Sequence, residues 1–173
     1  HVSPAAACDL PAVADLVNAA YRGESSRQGW TTEADYLGGQ RTDAQILEHD
    51  LAAKPEALLL TLRDEAGGPL LGCSWLEPAN DGAWYLGMLT VRPDLQDRKL
   101  GRTMLEAAEA RAQALGARRI IMTVVQIRDT LIAWYERRGY VATGETRPFP
   151  YDDQRFGEPM RDDLAFIVLA KSL

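Results

Sequence analysis

Between residues 57 and 125 the chain changes how its strands are connected, and this change narrows the fold more than any other feature. Three apolar runs, "ALLLTLR" (57–63), "LLGCSWLE" (70–77) and "AWYLGMLTVR" (83–92), are joined by "DEAGG" and "PANDG". Links this short and glycine-rich fit tight turns, so the runs are expected to form an antiparallel meander. After residue 92 the period changes. Leu100, Met104, Leu105, Ala108, Ala112 and Leu115 share one face of a helix with Gly116 past its end, and "RRIIMTVV" (118–125) follows as a strand apolar enough for burial on both faces. A helix joining two strands implies a parallel crossover grafted onto the meander.

The flanking segments fill out a mixed α/β architecture with one central sheet. Asp9 can cap a first helix with Pro11 in its opening turn and Val13, Leu16, Val17, Ala20 and Tyr21 on one face. A second helix is expected near Thr42, where "TDAQ" has the form of a capping box, with Ile46, Leu47 and Leu51 as its apolar side. "DTLIAWYERRG" (129–139) reads as a short helix stopped at Gly139, and "YVATGE" (140–145) and "DLAFIVLAK" (163–171) as the last strands, with a further strand near Val2. A length of 173 residues is enough for a single domain over 1–173.

Charge and composition exclude several function classes. No apolar run approaches the roughly 20 residues of a membrane span, and the opening residues lack a basic region followed by an apolar block. Cys8 and Cys73 have no second ligand at metal spacing, so two reduced thiols, no metal and a cytoplasmic setting are expected. A net charge of −6 opposes a nucleic-acid surface. Yet Arg92, Arg98, Lys99 and Arg102 gather in "LTVRPDLQDRKLGR" (89–102), where a strand runs into a helix. The first-turn amides and the dipole of that helix would favour an anion, and Gly101 would let its phosphate approach the backbone. On charge and glycine alone, a solvated helix cap is the commoner outcome.

The order of residues is more specific than their charge. "VRPDLQDRKLGR" resembles the acyl-CoA-binding motif of the GNAT superfamily of N-acyltransferases, Gln/Arg-x-x-Gly-x-Gly/Ala after a strand. Gln96, Leu100 and Gly101 match, with Val91 and Pro93 ahead of them, and Lys99 stands where the first glycine is usual. "RDTLIAWYERRGY" (128–140) is similar to the superfamily's late helix through Tyr135, Gly139 and Tyr140, with Arg128 where an Asn is common. The resemblance implies a mostly antiparallel sheet carrying a parallel β-α-β acyl-CoA-binding unit, with helices on both faces. It implies acetyl-CoA as cosubstrate, its pantetheine arm lying between Leu89, Thr90 and Val91 and the strand of residues 120–125. Gln96, Asp97, Arg98, Lys99, Leu100, Gly101 and Arg102 would then meet the diphosphate, and Arg128 and Tyr135 would also contact the coenzyme. Tyr135 becomes the general acid for the departing sulfur, since an ordinary phenol, with a pKa of about 10, is protonated at neutral pH.

Other assignments stay open at this level. Gly87 fits either a bulge that splays the strands or a packing need. No carboxylate lies in "WYLGMLTV", which leaves Glu77, Asp81, Glu33, Tyr85 or a water chain as base. The acceptor pocket would form from "RQGWTTEADYLGGQR" and "TRPFPYDDQRFGEP", with Trp30, Thr31, Glu33, Arg41, Tyr85, Phe149, Tyr151 and Phe156 as candidates. Arg41 and Arg147 beside Glu33 and Asp152 would suit a small zwitterion or amine. The expected activity is acetyl transfer to a primary amine of a small molecule or peptide by direct attack in a ternary complex, by a monomer or homodimer. The alternative is a non-catalytic acyl-CoA sensor of the same fold. A dinucleotide-binding oxidoreductase is opposed by the single glycine at the corner and the meander before it.

Overall fold

The computed structural model describes residues 1–96, 98–153 and 157–173. A seven-stranded sheet runs in the spatial order β1 (Val2–Pro4), β3 (Leu58–Leu62), β4 (Gly72–Pro78), β5 (Ala83–Val91), β6 (Arg119–Val125), β9 (Ala165–Ser172) and β7 (Val141–Pro148). Each neighbouring pair is antiparallel except β5 and β6. Among the described residues four α-helices, α1 (Leu10–Tyr21), α2 (Ala44–Ala53), α3 (Leu100–Ala114) and α4 (Asp129–Glu136), accompany it. The meander-plus-crossover order expected from the chain is the one observed.

Side-chain alternation explains the two layers. Leu59, Cys73 and Trp75 face α1 and α2 and join Val13, Val17, Ala20 and Leu47 in one apolar cluster. Leu60, Leu62, Leu76, Leu86, Ile120, Met122 and Val124 point the other way, onto Met104, Leu105 and Ala108 of α3 and Tyr135 of α4. Each large side chain so buried stabilises the fold by roughly 1.5–3 kcal/mol. β3 reads as a leucine run broken only at the buried Thr61, because helices cover both of its faces. β6 differs from expectation: its Ile120, Met122 and Val124 are buried, while Ile121 and Thr123 line an open groove. The helices α1 and α2 cover only the first half of the sheet on their side.

Local signals place the ends with small corrections. Helix α2 begins one residue later than expected, because Asp43 rather than Thr42 caps it and accepts the Ile46 amide at 2.8 Å. Asp9 precedes α1, but its carboxylate turns back to the Ala6 amide at 2.8 Å and to Arg63 at 3.0 Å. The strand expected at 140–145 extends to Pro148 and is exposed along its whole length as the sheet's outer edge. The two long loops meet in a small antiparallel pair, β2 (Leu37–Gly38) with β8 (Glu158–Pro159).

The decisive irregularity lies at the parallel pair. β5 and β6 are in register only at Ala83–Arg119, Trp84–Ile120 and Tyr85–Ile121, and beyond these the strands part. Across β4 the register slips between Cys73 and Trp75, and Met88 takes φ 53°, so the bulge centres on Met88. Gly87 next to it answers to packing, because a Cβ there would lie 2.8 Å from the Tyr85 ring.

Candidate active site

The parting of β5 from β6 leaves two cavities end to end. The first is a cleft lined by Leu89, Val91, Gln96, Lys99, Gly101, Arg102, Trp134 and Arg138, with Trp30 and Thr31 at its side. The second is lined by Arg22, Glu33, Arg41, Tyr85, Arg128, Phe149 and residues of the β6 edge. Tyr21, Leu89, Leu131 and Tyr135 line both, so Tyr135 stands where the two meet.

In the cleft, backbone does most of the shaping. Consecutive strand residues send their polar groups to opposite neighbours. The carbonyls of Leu89 and Val91 turn away from β4 and are met by side chains, Leu89 by the Tyr21 hydroxyl and Val91 by Gln96 Nε2 at 3.3 Å. Gln96 also accepts the Trp30 and Thr31 amides at 2.9 and 3.3 Å and donates to Thr31 Oγ1 at 2.7 Å. It therefore ties the loop after α1 to the strand-helix corner. Lys99, the residue before α3, adopts the left-handed conformation at φ 61°, ψ 15°, so the backbone keeps a glycine-type shape at a cost of roughly 1–2 kcal/mol. The helical ladder is under way at Thr103, whose amide donates to the Lys99 carbonyl at 3.2 Å. The first-turn amides of α3 precede that ladder and have no carbonyl partner within the helix, and Gly101 and Arg102 of that turn line the cleft.

A Cβ on Gly101 would meet Trp134 at 3.5 Å and Val91 at 3.8 Å, ordinary contacts, so packing does not demand glycine. It would instead fill the cleft. The Trp134 indole forms the opposite wall, with the Arg138 guanidinium 3.8 Å from its ring centroid and the Trp30 ring at 6.2 Å. Lys99, Arg102 and Arg138 give the cleft a positive rim.

In the second cavity, side chains from distant segments do the work. Glu33 is buried and receives Arg22, Arg41 at 3.0 Å and Arg128 at 3.4 Å. Burial alone would raise its carboxyl, but Arg41, Arg128 and Arg22 outweigh this and hold it below the usual carboxylate range. Glu33 is thus a fixed anion and a poor base. Burial pushes the Tyr135 phenol well up, and among the described residues its hydroxyl takes no partner. That hydroxyl stays protonated at neutral pH and free to donate. Tyr85 sits across the cavity, its hydroxyl 3.5 Å from Thr123 Oγ1.

The sequence pattern defining the acetyltransferase (GNAT) family matches residues 12–140. This chain belongs to that family. Among its curated relatives, the amino-acid acetyltransferase of Ralstonia nicotianae is 31% identical over 115 residues, which is 62% of this chain and 25% of that protein. The IAA acetyltransferase of Azospirillum brasilense is 26% identical over 62% of this chain and 69% of its own length. The chain thus spans about a quarter of the Ralstonia relative. The ribosomal-protein-alanine N-acetyltransferase of Brucella melitensis superposes with TM-score 0.71 at 19% identity over 100% of this chain and 99% of that one. A GNAT family acetyltransferase of Elizabethkingia anophelis with acetyl-CoA bound gives 0.67 at 15% identity, covering 100% and 97%. At such identities these two show a shared fold.

Within this GNAT chain the residues expected from sequence separate into groups. Leu89, Val91, Gln96, Lys99, Gly101, Arg102 and Tyr135 line the cleft. Thr90 is buried, with its hydroxyl on the Met88 carbonyl at 2.9 Å, and Leu100 packs on the core. Arg98 is exposed and its amide is already paired with the Leu95 carbonyl at 3.1 Å, so that amide is not available at the corner. Asp97 and Phe156 lie outside the described residues. Arg128 lines the second cavity rather than the cleft, together with Glu33, Arg41, Tyr85 and Phe149, whereas Trp30 and Thr31 belong to the cleft. Arg147 pairs with Glu145 and lines the open groove elsewhere on the sheet, Asp152 is exposed, and Tyr151 packs on Phe149. Among the other candidate bases, Glu77 pairs with Lys54 at 2.8 Å and Asp81 sits in the β4–β5 turn; neither lines the two cavities. Sequence reasoning missed Tyr21, Arg22, Trp134 and Arg138. Tyr21 read as helix core and Arg138 as a helix-end charge. Only the basic run "ERRG" hinted at the rim.

Among the described residues no group of three or more His, Cys, Asp or Glu could hold a metal, and no helix is long and apolar enough to cross a membrane.

Proposed function

We propose that the chain catalyses acetyl transfer from acetyl-CoA to a primary amine by direct attack in a ternary complex. The observation that carries this reading is the pair of cavities meeting at Tyr135, one cationic-rimmed at a helix N-terminus and the other closed around buried charge. The cleft fits the coenzyme's chemistry. Its diphosphate would lie at the first turn of α3 beside Lys99, Gly101 and Arg102, with Arg138 at the rim. Its arm would lie along the Leu89–Val91 edge. Acetyl-CoA supplies an activated acyl carbonyl on a thiolate leaving group.

The chain's own groups would then divide the labour. The amine nitrogen bonds the carbonyl carbon as the carbon–sulfur bond breaks; the amine gives up a proton to water, and Tyr135 supplies one to the sulfur. An enzyme-bound acyl intermediate on sulfur is disfavoured. Burial pushes the Cys73 thiol up to about 12, and neither cysteine lines the two cavities. The names of the relatives, amino-acid, IAA and ribosomal-protein-alanine acetyltransferases, support an amine acceptor without selecting one.

Calorimetry with acetyl-CoA and thiol release across an amine panel at pH 7 to 9 test the reading. Saturable uptake with acceptor-dependent thiol release is expected. No uptake by folded protein overturns it, and tight uptake with no acceptor-dependent release makes the chain a sensor instead.

A further inference from the structure

Two guanidiniums around Glu33 have donors that the transfer step does not use. Arg41 gives Nη1 to Glu33 at 3.0 Å, and among the described residues its Nε and Nη2 take no acceptor. Its side chain is 30% exposed and lines the second cavity. Arg128 donates to Glu33 Oε2 over a long 3.4 Å and to the Thr31 carbonyl. Of the described residues lining this cavity, the Arg41 and Arg128 guanidiniums share the single carboxylate of Glu33, a surplus of one positive charge before Arg22 is counted. The nearby Tyr36 hydroxyl is buried with no partner among the described residues, and Glu33 and all three arginines act on its titration.

Buried charge is costly unless compensated. An ammonium alone would add a further unbalanced positive charge beside the one already there. A molecule with a carboxylate next to its amine would instead cancel part of the surplus and present a planar pair of oxygens to the planar guanidinium fork. We propose that the acceptor is an amino carboxylate of the free amino-acid type, its carboxylate held by Arg41 and Arg128 and its amine directed to Tyr135. The proposal rests on the N-acetyltransferase reading above. Leu37, Met88, Val125, Phe149 and Phe166 give the same cavity an apolar wall, which suits an uncharged side chain. The arrangement also accounts for the missing base. With Glu33 locked among arginines, the remaining positive field favours the neutral amine over the ammonium, so proton loss to water needs no carboxylate.

The test uses L-methionine, L-leucine and L-phenylalanine, each beside its methyl ester and primary amide. Two readouts are taken: binding by calorimetry to CoA-loaded protein, and thiol release with acetyl-CoA. The free acids are expected to bind and react roughly 100-fold better, the scale of a truncated buried charge pair. The lower amine basicity of esters and amides biases the comparison against this result. In Arg41→Gln the acid-over-ester ratio should collapse toward unity while acetyl-CoA affinity, read separately, is retained. Esters or amides bound as well as the acids, or no binding of either, overturn the proposal. Preferential binding of the acids with no thiol release leaves the carboxylate site standing and removes the transfer reading, so the two failures are distinct.

Discussion

The cleft and the second cavity share a wall but are built in opposite ways. The cleft is made largely by main chain: the parted strand β5, the left-handed Lys99, the first turn of α3 and a glycine that leaves room. Its cations are exposed and partly occupied elsewhere, as in the Arg102–Glu106 pair, whose side chains are 60% and 59% exposed. The second cavity is made by side chains from α1, the loop after it, and the corner before α4, knotted around the nearly inaccessible Glu33. The difference teaches that charge count is a poor guide to electrostatic weight. Four clustered cations near residue 100 are screened by water, whereas one buried carboxylate among three arginines holds together residues 8 to 95 positions apart.

Removing Glu33 is the harshest test of that contrast. Glu33→Gln takes the shared carboxylate from Arg22, Arg41 and Arg128 and should destabilise the protein by about 3–5 kcal/mol, lowering Tm by roughly 10 °C in a thermal melt. A drop under roughly 2 °C would erase the distinction between the cavities. The pH dependence carries a second signature. Because the folded Glu33 carboxyl sits below its ordinary 4.5, its contribution is fully present above that value and is lost as pH falls through the depressed one. Acid unfolding of Glu33→Gln should lack this component.

At the junction, Tyr135→Phe should lower kcat by about 100-fold or more while leaving the acetyl-CoA dissociation constant within about twofold; an unchanged kcat would remove the acid role. On the cleft side, Gln96→Ala frees the Trp30–Thr31 loop. Loss of its hydrogen bonds should cost about 1–2 kcal/mol and weaken acetyl-CoA binding by roughly tenfold, read by calorimetry. Lys99→Gly should do the reverse, relieving about 1 kcal/mol of left-handed strain and raising Tm by roughly 2–4 °C. The smallest effect belongs to Arg102→Ala, which breaks an exposed pair and should change unfolding free energy by less than about 0.5 kcal/mol.

The order of elements along the chain, the crossover, the α3 start and the Tyr135 helix were legible because each is written in neighbouring residues. Period-2 runs meet glycine-rich turns, a 3.6-residue stripe starts after the motif, and Tyr135 precedes Gly139 at a fixed distance. The sequence likewise placed Gln96 and Gly101 at the strand-helix corner, since the corner is itself a local structure. It misjudged finer points wherever a neighbour decided them. Ile121 faces an open groove because the first two helices stop short of β6, and Gly87 is small because Tyr85 lies over it. The second cavity was readable only as a list of loop residues. Arg22, Glu33, Arg41 and Arg128 have no common spacing, and the rim residue Arg138 looked like a helix-end charge. By itself, then, the sequence determined the elements, their order and the strand-helix corner, which depend on propensities and contacts a few residues long. Tertiary structure alone decided that β5 and β6 part beyond Tyr85 and that three arginines converge on one carboxylate. Burial and pairing act through space, and no local pattern along the chain encodes them.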